Sequence, residues 1–257
     1  MDNPARKGDR SALSKRAIAG LIIGAVLLIV IIAAANFLFT GHMQPDDTAL
    51  AALESDSNVQ VVQQDGEIAF LGPDRDPDNT YGLVFYPGAK VDYRAYAPLL
   101  HKLASHGWIC VDVSMPLDLA ILNQDAATNA MSRYPQVEHW YIAGHSLGGA
   151  MAANYASSHA DGLEGLVLLA AYSTQDISGT SLDVMSVYGS NDGVLNRENY
   201  ASDRANLPAS THELVIDGGN HAQFGSYGEQ QGDGTASISA EQQRAQTVRF
   251  IQKTTRQ

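Results

Sequence analysis

Apolar and polar positions divide the 257-residue chain into two regimes. Ala17 to Phe39 is a run of 23 residues with no charge and one strongly polar side chain, Asn36. At about 1.5 Å per residue such a run spans a hydrocarbon core of ~30 Å. It predicts a transmembrane helix over 17–39, preceded by a basic tail over 1–16. Residues 40–57 are polar apart from a patch at Ala49–Leu53, and predict a linker with one helical turn. From 58 onward, short apolar runs alternate with stretches of helical spacing. Val59–Val62 and Ile68–Phe70 flank Gln63-Gln64-Asp65-Gly66 and predict a hairpin. Further strands are expected at Tyr81–Tyr86, Trp108–Val113, His139–Ala143, Gly165–Ala170, Val184–Tyr188 and His212–Ile216. Helices are expected at Tyr93–Ser105, Leu117–Leu122, Ala126–Ser132, Ala150–Ser158 and Ala240–Gln252. This alternation implies an α/β domain over 58–257, with a mainly parallel sheet and helices on both faces. Several of its strands are continuous apolar runs, as buried parallel strands are.

Charge adds an orientation. Lys and Arg total 16, Asp and Glu 28. Five of the basic residues (Arg6, Lys7, Arg10, Lys15, Arg16) precede the apolar run, and none follows it closely. Basic flanks stay inside, which places the N-terminus in the cytoplasm and the body outside. A cleaved signal peptide is the alternative, with Ile18–Ile32 as its apolar region and Ala33-Ala34-Ala35 as its cleavage site. The continuing run through Phe37-Leu38-Phe39 favours an uncleaved anchor, and both readings export the body. The strongly acidic body argues against nucleic acid as a partner, since phosphates call for Lys and Arg. It argues equally against electrostatic docking of the body on anionic lipid. Cys110 is the single cysteine, so no intrachain disulfide forms, and its apolar strand marks it as a core residue.

The chemistry concentrates in Gly144-His145-Ser146-Leu147-Gly148. A G-x-S-x-G pentapeptide is weak alone, but here a strand runs into it and a small-residue helix follows. That is the context of a nucleophile elbow, which lifts Ser146 above the sheet at a helix N-terminus. A serine hydroxyl needs a base to take its proton, and the base needs an acid to orient it. His221, in Asp217-Gly-Gly-Asn-His221 after the last strand, is the expected base. Asp192, after strand Val184–Tyr188, is the expected acid, with Asp217 as runner-up. Two amides should hold the oxyanion, that of Leu147 and one from Tyr86-Pro87-Gly88-Ala89-Lys90, for which Ala89 is the candidate and Lys90 the next.

Over about residues 58–254 the body resembles the α/β-hydrolase superfamily, with the chain order Ser146, Asp192, His221. Tyr86–Val91, Gly144–Gly149, Tyr188–Asp192 and Gly219–Phe224 resemble a small bacterial branch distantly similar to dienelactone hydrolases. Those usually carry cysteine where this chain has Ser146, so the resemblance implies ester or thioester hydrolysis rather than dienelactone chemistry. It implies no metal and no diffusible cofactor. The expected function is a membrane-anchored serine hydrolase acting outside the cytoplasm on a small-molecule ester. An exported peptidase, an acyltransferase and a non-catalytic binding protein of the same fold are the alternatives. Asp74-x-Asp76-x-Asp78 resembles the start of a calcium loop, but Asn79 replaces its glycine and Phe85 its final glutamate. The Gly/Gln-rich stretch Gly225–Gly234 is either a plain surface loop or part of the pocket mouth.

Overall fold

The computed structural model describes residues 15–64, 66–73 and 80–255. Within the first helix, α1 (Lys15–Phe39), side chains are described at 23, 25–33, 35, 36, 38 and 39. All of these except Asn36 are apolar, and Ile23, Val26 to Ile32 and Phe39 stand exposed. Among the described residues no helix is long and apolar enough to cross a membrane. Most of the tail expected at 1–16, and the calcium-like Asp74–Asp78, lie outside the described residues.

The chain divides into two compact units, Met1–Gly41 and His42–Gln257. The second is built on one eight-stranded sheet. Its strands are β1 (Gln60–Gln64), β2 (Glu67–Leu71), β3 (Tyr81–Tyr86), β4 (Ile109–Val113), β5 (His139–His145), β6 (Gly165–Leu169), β7 (Asp183–Gly189) and β8 (His212–Ile216). They lie in the order β1-β2-β4-β3-β5-β6-β7-β8. β1–β2 and β2–β4 are antiparallel, and every pairing from β4 to β8 is parallel.

Alternate residues of the strands face opposite sides. Leu83, Phe85, Cys110, Tyr141 and Val167 join one core, beneath α3 (Ala97–Ala104) and α7 (Ala240–Thr254). Val84, Tyr86, Val111, Ile142 and Leu166 join the other, beneath α4 (Ala126–Ser132) and α5 (Leu147–His159). The sheet is therefore apolar on both faces, as its continuous apolar runs require.

Local chemistry moves several expected boundaries. The β1–β2 hairpin is tighter than expected. Gln64 pairs with Glu67, so two residues connect the strands, and Gly66 supplies a positive φ of 76°. Tyr93–Tyr96 is a 3-10 turn, and α3 begins at Ala97 with Pro98 in its first turn, where a missing N–H costs nothing. Leu117–Leu122 is not one helix but two short 3-10 turns, Pro116–Asp118 and Ala120–Leu122, broken by Leu117 (φ 53°) and Asp118 (φ 51°). The sequence pattern missed α6 (Arg197–Ser202), whose start is capped by the Asn196 side chain. β6 and β7 are joined by residues 170–182 with no helix between them.

Residues 42–57 are tied to the body rather than spanning open space. Met43 pairs with Val91, and α2 (Asp47–Ala51) is capped by Asp46, whose carboxylate also accepts the Ser226 hydroxyl at 2.9 Å.

Candidate active site

β5 runs without a break into Ser146, and α5 starts at Leu147, three residues earlier than the sequence pattern indicates. Ser146 connects them at φ 54°, ψ −123°, a backbone region costing a non-glycine residue about 1–3 kcal/mol. Two glycines make the turn possible by close approach. A Cβ at Gly144 would sit 2.4 Å from the Gly148 carbonyl carbon, and one at Gly148 would sit 2.2 Å from the Tyr86 oxygen. The strand, the helix start and the Tyr86–Pro87 backbone are thus pressed together around Ser146. The serine amide donates to Leu169 at 2.9 Å. Its hydroxyl has no hydrogen-bond partner among the described residues, and the bond to His221 is not closed. Such bonds are often long in free enzymes and tighten on substrate.

His221 and Asp192 do meet. His221 Nδ1 and Asp192 Oδ2 lie 2.9 Å apart, both side chains almost wholly buried. The other carboxylate oxygen of Asp192 accepts the amides of Val194 and Leu195 at 2.9 and 2.8 Å. Burial alone would raise the Asp192 pKa. The hydrogen bond and charge of His221, with those two amides, outweigh it and hold the carboxyl below its usual range. Asp192 is therefore an anion aimed at the imidazole. Asp217, the runner-up, turns instead to Ser190, 3.4 Å away.

The loop after β3 supplies the amides. Gly88 N–H donates to the Tyr96 hydroxyl at 3.0 Å and Lys90 N–H to the Asp118 carbonyl at 2.8 Å. Between them Ala89 N–H has no acceptor among the described residues, and neither has Leu147 N–H at the start of α5. The Lys90 amide is thus occupied, while those of Ala89 and Leu147 stay unpaired among the described residues.

Two partners of the site escaped the sequence reading. Tyr96 places its hydroxyl between Gly88 N–H and His145 Nδ1, the latter at 2.8 Å. Burial first, then the adjacent His221, push the His145 pKa well down, which favours a neutral ring beside the phenol. The two imidazoles lie 4.5 Å apart between ring centres. Asp233 does more. One of its oxygens accepts the amides of Gly193 (3.1 Å), His221 (3.2 Å) and Gly234 (2.8 Å), and the other that of Ala222 (2.9 Å). One carboxylate thereby ties the loop of the acid to the loop of the base. Its signal in the sequence is an acid flanked by Gly232 and Gly234, where bare backbone can fold around a carboxylate. The stretch Gly225–Gly234 is thus partly structural support for the site. Among the described residues no group of three or more His, Cys, Asp or Glu side chains is placed to hold a metal.

An alpha/beta hydrolase family model matches residues 82–245, which include Ser146, Asp192 and His221. No curated protein matches the chain. Among solved structures, Est1E from Butyrivibrio proteoclasticus is similar with a TM-score of 0.55 at 13% identity, covering 78% of this chain and 100% of its own. TT1662 from Thermus thermophilus has a TM-score of 0.54 at 12% identity, covering 77% and 98%. A CIB-like hydrolase from Thermoplasma acidophilum has a TM-score of 0.50 at 15% identity, covering 76% and 98%. At these identities the likeness is one of fold. The family match extends over more than half of the sequence, and the chain belongs to the alpha/beta hydrolase family.

Proposed function

We propose that this hydrolase is a membrane-anchored serine esterase working through Ser146, His221 and Asp192. The observation that carries the reading is the buried 2.9 Å contact of His221 with an ionised Asp192, on the same sheet edge as the Ser146 elbow. His221 Nε2 takes the proton of Ser146 Oγ as the oxygen attacks the ester carbonyl carbon. The carbonyl π electrons move onto oxygen, where the Ala89 and Leu147 amides stabilise the charge. The tetrahedral species expels the alkoxide, which leaves as an alcohol with the proton from His221. Water then attacks the acyl-serine, again giving its proton to His221, and the acid departs with Ser146 restored. Asp192 holds the imidazole in the tautomer that leaves Nε2 free to accept. Thioesters follow the same path with a thiol as leaving group.

Anchoring through residues 17–39, with the body outside the cytoplasm, is part of the proposal. It is supported by the apolar side chains of α1 that stand exposed, among the described residues, and by the basic residues before them in the sequence. The test is fluorophosphonate labelling of the full chain in mild detergent beside Ser146→Ala. Labelling that disappears in the variant is the expected result. A folded wild type that takes no label overturns the catalytic reading and leaves a binding protein of the same fold.

A further inference from the structure

Resting on the serine-hydrolase reading, we infer that Tyr96 and His145 act as one positioning unit, which holds the oxyanion loop in line with Ser146 and backs the ring of His221.

The two side chains reach one place from different elements. His145 closes β5, and strand alternation puts its ring on the same face as Tyr141 and Ala143, the face covered by α3 and α7. Tyr96 ends the 3-10 turn before α3 and packs into that face. Both are almost wholly buried. The His145 ring is wedged between Tyr96 and Phe224, each 5.7 Å away, and His221 at 4.5 Å, measured between ring centres.

Proton counting gives the pair a direction. Among the described residues the Tyr96 hydroxyl meets Gly88 N–H at 3.0 Å and His145 Nδ1 at 2.8 Å, and no other group. An amide N–H only donates, so the hydroxyl accepts there. Its own proton then has one place to go, Nδ1, which is the bare nitrogen of the ring. Burial favours a protonated phenol and a neutral imidazole, in agreement with that assignment. A proton on Nδ1 would set two donors against one oxygen and strand the phenol proton inside the core.

This direction matters at both ends. On the oxyanion side Gly88 is held twice, its N–H by Tyr96 and its carbonyl by Val91 N–H at 3.2 Å. The peptide that follows is planar and trans, so a fixed Gly88 carbonyl fixes the Ala89 N–H on the opposite side. That N–H is the proposed oxyanion donor. The approach demands glycine, because a Cβ at Gly88 would lie 2.9 Å from both His145 Nδ1 and the Tyr96 oxygen. On the other side, His221 becomes a cation once it has taken the serine proton. A charged His145 so close would oppose that step, and a neutral one does not. Tyr96 and His145 thus work through Gly88 and His221, without touching the ester.

The test measures p-nitrophenyl acetate turnover by the full chain in mild detergent. Rates are taken per site labelled exhaustively with fluorophosphonate, so unfolded protein does not count. Tyr96→Phe removes the hydroxyl that serves both partners. Its kcat should fall about tenfold or more, with KM within about twofold of wild type. Affinity for an aryl trifluoromethyl ketone, whose serine adduct carries the oxyanion, should fall by the same factor. His145→Leu should lose as much, and the double variant no more than either single one, because a unit broken once has nothing further to lose. His145→Asn, whose amide oxygen can stand in for Nδ1, should recover part of the loss. A Tyr96→Phe kcat within about twofold of wild type, losses that multiply in the double variant, or a loss carried by KM would each overturn the unit. If Tyr96→Phe yields no labelled sites, His145→Asn against His145→Leu decides, and equal loss in the two overturns it. A wild type that takes no label removes the hydrolase reading and the unit with it. A labelled wild type indifferent to these substitutions removes the unit alone.

Discussion

Asp233 shows how far one carboxylate can organise a site without touching substrate. It gathers four amides from the loops that carry Asp192 and His221. Asp233→Ala leaves those amides to water and lets the two loops part. Small displacements of a base cost rate far more than binding. The turnover number on p-nitrophenyl acetate should fall roughly tenfold or more, with KM little changed, and Asp233→Glu should recover part of it. Equal loss in KM and kcat would assign the residue to substrate binding instead.

Asp112 poses the opposite problem. It is fully buried in β4, and neither carboxylate oxygen has a partner among the described residues. Burial, with the charge of Asp92 adding to it, pushes its pKa well up. The folded chain therefore holds a proton that the unfolded chain releases near pH ~4. The contribution of Asp112 to stability is therefore greatest below that value and declines as pH rises toward its folded pKa. Asp112→Asn removes this decline. The advantage of the variant in urea midpoint should grow from pH 4 upward, and parallel curves for the two proteins would refute a neutral Asp112. The pairing of His221 with Asp192 was legible from type and position, because each sits in a loop after a strand end. Tyr96 and Asp233 were not, because what they do is accept particular backbone amides, and backbone direction is invisible in a string of side chains.

Elements were legible where one period ran unbroken. The inner strands appeared because both faces of the sheet are covered there, so their runs are largely apolar. Limits were missed where close approach decides. α5 starts at Leu147 because Gly148 and Gly149 let its first turn lie on Tyr86 and Gly144. Gly148→Ala would put a methyl 2.2 Å from the Tyr86 carbonyl oxygen, at the end of β3, and 2.3 Å from that of Pro87. We expect it to cost about 1–3 kcal/mol through overpacking and to lower the unfolding midpoint by several degrees, with loss of fluorophosphonate labelling. An unchanged midpoint by calorimetry would mean that the helix can slide away from Tyr86. α7 reaches the site by a different device. Gln243, fully buried, accepts Asn220 N–H at 3.0 Å and donates to the Asn220 carbonyl at 2.8 Å, one residue before His221. Gln243→Leu strands both backbone groups, each worth about 1–3 kcal/mol when buried without a partner. Chemical denaturation should show a loss of that order.

At the scale of the whole molecule, the proposed anchor and the hydrolase make separate demands. An arginine at the centre of a transmembrane helix costs about 2.5–3.5 kcal/mol. Ile29→Arg/Ile31→Arg should move the chain out of the carbonate-resistant membrane fraction while its rate on a water-soluble ester stays the same. Retention in that fraction would count against a spanning α1.

The missing helix between β6 and β7 has a consequence for engineering. Residues 170–182 leave the edge beside Ser146 and return to the sheet with Thr174, Gln175 and Asp176 exposed on the way. Extra chain added there would fold outside the sheet and over the mouth of the site. It would leave the register of every strand untouched, since long surface insertions carry a small entropic penalty. Substrate range can thus be narrowed by grafting a cover at this one place.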